Sequence, residues 1–189
     1  CALPIYLLIS EITSISGSPV AEFPAWETLP HEKLSPKSDT VTKRLKLLNS
    51  LKNNPPKIIV TSIRGLIQPI SKSVATTPTI KLKNGLELSL EELLRNLVHF
   101  GFTRTDLVER RGDFAVRGGI VDLFPPDQEH PIRVDFFGDE IDDLAYFTVS
   151  DQRTFEKLEN LEVFPVRELL IDEKVKAKAQ YLSNEWPQL

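Results

Sequence analysis

Alternating apolar and polar residues mark the stretch from Asp113 to Phe147 as strands, and apolar residues three and four apart mark the segments on either side as helices. Phe114 and Val116 alternate with Asp113, Ala115 and Arg117, so a period of two sends the apolar pair to a core and displays Arg117. The pattern resumes after Gly118-Gly119 as Ile120–Phe124, stops at Pro125-Pro126 and restarts as Ile132–Phe137. Gly138-Asp139 then separates it from Glu140–Phe147, the spacing of a further hairpin in an antiparallel meander. The glycine pair suits either a tight turn or a bulge, and the pattern does not choose between them.

Upstream, Tyr6–Ile9 reads as a short buried strand, Thr13–Ser18 as a polar loop and Val20–Phe23 as a strand. Pro24–Pro36 comes next as an ordered proline-bounded loop, in which Trp26 is either a core anchor or a contact residue. Asp39 is positioned to cap a helix carrying Val41, Leu45, Leu48 and Leu51 on one face, with Lys43, Arg44 and Lys46 outside. Asn53-Asn54-Pro55-Pro56 ends that helix, and Lys57–Thr61 is a short apolar run of the buried parallel-strand kind, followed by a helical turn through Gly65 to Gln68. The order strand, helix, strand is that of an α/β domain.

Ser71–Pro78, rich in Ser, Thr and Pro, reads as a domain boundary, and Thr79–Lys83 beyond it as an edge strand turning at Asn84-Gly85. Ser89 with Glu92 forms a capping box for a helix with the stripe Leu90, Leu93, Leu94, Leu97 and Val98, which Gly101 terminates. His99 reads as a cation at that helix end. After the meander, Leu161–Pro165 looks like a strand returning to the first domain, and Glu173–Trp186 has helical spacing.

Composition narrows the function. Only three histidines and the single Cys1 are present, without zinc-ligand spacing. No run approaches the ~20 apolar residues of a membrane span, so a cytoplasmic location and no membrane partner are expected. The absence of methionine suggests a fragment, and the first six residues look foreign to the rest of the chain. Residues 101–150 hold five Lys and Arg against eleven Asp and Glu, the opposite of a phosphate-binding surface, so the meander arginines read as protein contacts. Neither G-x-x-x-x-G-K-[ST] nor G-x-S-x-G occurs, and adjacent acids such as Asp142-Asp143 point apart, so no catalysis and no cofactor are expected.

Arg104 and Asp106, Arg111-Gly112, Phe114, Arg117-Gly118, Asp122, Phe124-Pro125 and Arg133–Glu140 resemble the second domain of the excision-repair protein UvrB. They resemble more the matching domain of the bacterial transcription-repair coupling factors (Mfd), as do Phe23–Pro30 and Leu34-Ser35-Pro36. The resemblance covers roughly residues 19–166 and implies an α/β fold: an incomplete, degenerate helicase-like α/β domain (1–78 and 155–189) with an inserted β-rich α+β domain (79–154). It implies that the inserted domain binds UvrA and brings excision repair to stalled RNA polymerase, through positions matching Arg104, Arg117 and Asp135, with Phe124 as a neighbour. Ala115 and Gly119 depart from UvrB, which has Arg and Asp there, and leave one charged anchor fewer. ATP and Mg, RNA polymerase and double-stranded DNA belong, by the same resemblance, to other parts of the full-length family protein. The competing readings are a UvrB-type helicase subunit truncated before its nucleotide loop and a nucleic-acid-binding module.

Overall fold

The computed structural model describes residues 3–29, 32, 34–70, 78–171 and 173–185. The chain opens with α1 (Leu3–Ser16), where sequence suggests a strand and a loop. A short apolar run does not by itself distinguish helix from strand. Here Pro4 sits in the first turn, where its missing N–H costs nothing, and the Thr13 and Ser14 hydroxyls donate back to Ile9 O (2.7 Å) and Ser10 O (2.9 Å).

β1 (Val20–Phe23) comes next, then α2 (Ser38–Asn53), β2 (Ile58–Thr61) and the short α3 (Ile63–Ile67). β1 and β2 pair in parallel from Val20↔Ile58 to Phe23↔Thr61, as the apolar run predicts, but β2 is not buried as expected: Ile58, Val60 and Thr61 are half-buried and Ile59 is exposed. Ser62 caps α3 by accepting from Gly65 N at 3.1 Å. α2 starts one residue before Asp39, whose carboxylate lies in the first turn, where the helix dipole favours it, instead of capping. Arg44 is the larger correction: it is 0% exposed, because position 44 falls three and four residues from Val41 and Leu48, inside the buried stripe.

Beyond the boundary segment, whose residues 71–77 lie outside those described, come β3 (Ile80–Lys83) and α4 (Leu90–His99). Ser89 Oγ accepts from Glu92 N at 3.2 Å, and Leu93 and Leu97 are buried. Val98, expected in that stripe, is exposed, because the buried face centres on Leu93 and Leu97. β4 (Thr103–Arg104), β5 (Asp113–Arg117), β6 (Ile120–Leu123), β7 (Ile132–Phe137), β8 (Glu140–Phe147) and β9 (Thr154–Lys157) form one sheet in that order, antiparallel except for the parallel pair β4 and β5. Gly118-Gly119 proves to be a two-residue turn: Arg117 pairs with Ile120 and Gly118 holds φ +60, a conformation that favours glycine.

β10 (Asn160–Val163) pairs antiparallel with β3, and α5 (Glu173–Glu185) ends the described chain. One core joins Ile80, Leu82, Leu93, Leu97, Phe114, Val121, Leu123, Val134, Leu144, Leu161 and Val163. Leu161–Val163 thus stays with the sheet, and the chain reaches the first unit only at Phe164, which packs on Val41 and Leu45. A third cluster lies on the sheet's opposite face. There Ala115, outward by alternation, is buried with Phe124, Phe147 and Val108 of the β4–β5 loop, because that loop folds over this end of the sheet.

Candidate functional site

The uncovered part of that outer face carries the charge. Register aligns Ala115, Asp122, Arg133, Ala145 and Lys157 in one row across β5 to β9, and Arg117, Ile120, Asp135 and Asp143 in the next. Asp122 is only 1% exposed and accepts from two arginines. Arg133 grips it as a fork, Nε to Oδ1 at 2.7 Å and Nη2 to Oδ2 at 2.9 Å, while Arg117 Nη2 donates to Oδ2 at 2.9 Å. Arg133 also donates through Nη1 to Gln152 O at 3.3 Å and lies 5.0 Å from the centre of the Phe147 ring. Its pKa is raised, chiefly by the hydrogen bond to Asp122.

Gln152 closes the cluster from the β8–β9 turn. It is the only non-glycine with positive φ among the described residues, at 60°. Its N–H donates to Thr148 O (2.9 Å), its Nε2 to Val149 O (2.8 Å), and its Oε1 lies 3.5 Å from Arg117 Nη2.

Arg117 is therefore displayed but not free: its side chain is 49% exposed, and the anchor is Asp122, not the neighbouring Asp113. Its Nε and Nη1 donors have no partner among the described residues, which leaves N–H groups on two different edges of the guanidinium for single charge-assisted hydrogen bonds. Asp135 shares its row beyond Ile120 and stands directly opposite Asp143, a like-charge pairing that disfavours ionisation. Burial first, and then the neighbouring acids, raise the Asp135 pKa above its ordinary 3.8, against the lowering effect of Arg133.

Arg104 is not brought to this cluster. It is exposed on the two-residue edge strand, in register with the inward-facing Phe114, and its side chain pairs with neither Asp106 nor Asp135. Phe124 is buried at 8% exposure, with the Arg111 guanidinium 5.5 Å from its ring centre, so Arg111 presents at the surface what Phe124 supports. Arg133 pairs with Asp122, not with Glu140 or Asp142, because those acids lie toward the far hairpin. Asp122 and Gln152 are what sequence reasoning missed. The two-residue turn fixes Arg117↔Ile120 and so sets Asp122 diagonal to Arg117, a signal that appears once the turn type is known.

Among the described residues, no group of three His, Cys, Asp or Glu is placed to hold a metal, and no helix is long and apolar enough to cross a membrane. Comparison with known proteins places this sheet. The family described as the UvrB interaction domain matches residues 80–169. The transcription-repair-coupling factor of Mycobacterium tuberculosis is 43% identical over 189 residues, covering 95% of this chain, and that of Escherichia coli 33% over 180 residues, also 95%. The chain belongs with the transcription-repair-coupling factors. The UvrABC system protein B of Streptococcus agalactiae is 33% identical over 145 residues, 76% of this chain and 22% of its own length. The greater share of this chain that they match, 95% against 76%, favours the coupling factors over a truncated UvrB. The chain spans about 15% of the length of the coupling factors it matches. The outer face of β5 to β8 falls inside the matched interaction domain, and so does the whole Arg117–Asp122–Arg133 cluster.

Proposed function

We propose that this chain is a protein-interaction module that binds UvrA and brings nucleotide excision repair to stalled RNA polymerase. The carrying observation is the half-exposed Arg117, anchored at one nitrogen on buried Asp122 with Asp135 in the same row, inside a domain matched as the UvrB interaction domain. A half-exposed guanidinium with N–H donors to spare, beside an acid, is the pattern of a paired polar contact. The interaction unit runs from residue 79 through β10, and the flanking residues form the partial, degenerate helicase-like domain that the resemblance implies. Location in the cytoplasm, ATP hydrolysis, and contacts with polymerase and DNA belong to the same proposal for the full-length protein.

The test is calorimetry of UvrA with wild type and Arg117→Ala. Alanine is the clean substitution, because Arg117→Glu would set a carboxylate against buried Asp122. The expected loss is about 2 kcal/mol of binding. The melting temperature should change little, since Arg133 keeps Asp122 paired. Equal binding by a folded Arg117→Ala removes Arg117 from the contact.

A further inference from the structure

Asp122 is too buried to touch a partner, yet it takes hydrogen bonds from both arginines of the outer face. A carboxylate enclosed in a sheet is not the most stable occupant of such a position, since a well-packed apolar side chain often does as well or better. Its geometry is also asymmetric. Arg133 uses two nitrogens on Asp122 and a third on the Gln152 carbonyl, which occupies its donors on that side. Arg117 is held through Nη2 alone, which orients the guanidinium while leaving Nε and Nη1 without a partner among the described residues. Gln152 keeps φ 60 although it is not glycine, and the bonds of its N–H, side chain and carbonyl fix it there. Backbone of that kind persists where the surrounding structure over-determines it, often beside a binding site.

We infer that Asp122 is a positioning residue: it holds the Arg117 guanidinium in its binding orientation before a partner arrives, with Arg133 as its counter-anchor and Gln152 as a stop. A side chain ordered in advance loses less freedom on association. This rests on Arg117 being a partner contact, and it adds that a residue the partner never touches sets the affinity.

The experiment uses the intact chain in two arms. Without partner, arginine guanidinium NMR should show slow rotation and slow Nε–H exchange for Arg117 and Arg133, and Asp122→Asn should release Arg117 to fast averaging. Free rotation of Arg117 in the wild type overturns the proposal whatever UvrA does. With UvrA, Asp122→Asn should weaken binding about tenfold in the wild-type background and cause no further loss in Arg117→Ala, since groups acting through one another are non-additive. The same loss in both backgrounds makes Asp122 a purely structural residue and overturns the proposal. Unaltered binding by Asp122→Asn, with Arg117→Ala impaired, overturns it as well. If Arg117→Ala binds like wild type, the contact reading fails and the inference with it, and the NMR arm separates that failure from a failure of positioning. Should Asp122→Asn not fold, Gln152→Gly takes its place. Glycine accepts φ 60 and keeps the carbonyl for Arg133, so what is lost is the side-chain amide, with its contact to Arg117 and its bond to Val149 O, and the expected fall of about threefold vanishes in Arg117→Ala.

Discussion

Asp135 shows how a single side chain can be placed against stability. Its folded-state pKa lies above the ordinary 3.8 because burial and the facing acids oppose ionisation. Just above pH 3.8 the folded state therefore binds more protons than the unfolded state, so stability falls as pH rises through that window. The cost is fully present above the folded pKa and absent below 3.8. Asp135→Asn should accordingly raise the melting temperature at neutral pH, and the gain should fade as the pH drops to the ordinary carboxylate value. A melting-temperature series in pH checks this, and a variant no more stable than wild type at pH 7 would contradict it. If Asp135 contacts UvrA, the stabilised variant binds more weakly, the usual trade between a strained site and a stable one.

Among the elements, α2 is held by an ion pair inside its apolar stripe. Arg44 donates through Nε to Glu168 Oε1 at 2.5 Å and through Nη1 to Pro24 O at 2.9 Å, with its guanidinium 4.2 Å from the centre of the Phe23 ring and 5.0 Å from that of Trp26. Trp26 Nε1 donates to the same Glu168 oxygen at 2.9 Å, so Trp26 ties its loop to Glu168 while staying half-buried and outside the core clusters. Arg44→Ala should destabilise the fold by about 3–5 kcal/mol, because it leaves the Glu168 carboxylate buried without its cation. Arg44→Met combined with Glu168→Gln should recover much of that loss. Denaturant melts of the two variants check it, and the account fails if the single alanine change costs under ~1 kcal/mol.

Among the described residues, two ion pairs join α2 to the unit that carries the sheet. Lys46 Nζ reaches Asp127, whose side chain is nearly buried, at 2.5 Å, and Arg111 Nη1 lies 3.5 Å from Asp39. Helical spacing puts Lys46 on a solvated face, where it would make an inert control for binding studies; its pairing with Asp127 removes that use. Lys46→Glu should instead cost about 1–2 kcal/mol, less than a fully buried pair because the lysine is half exposed. Unchanged melting would show that the Lys46–Asp127 pair does not help to join the two parts.

Elements with a local cause are readable from the chain alone. Period-two alternation with Gly118-Gly119 and Gly138-Asp139 sets the meander, and Ser89, Gly101 and the prolines after Asn54 set helix ends, because turn and cap preferences act within a few residues. The resemblance carried by Arg117, Asp135 and their neighbours is equally legible. Which side chains meet is a matter for the packed fold. Arg44 and Glu168 stand 124 positions apart, and Leu161–Val163 pairs with β3, not with the first unit. Helical spacing places Arg44 on a stripe but cannot say whether that stripe offers a buried carboxylate. In the same way, alternation turns Asp122 and Ala115 outward, and it takes the loop bearing Val108 and the turn bearing Gln152 to make this outer face partly an inside.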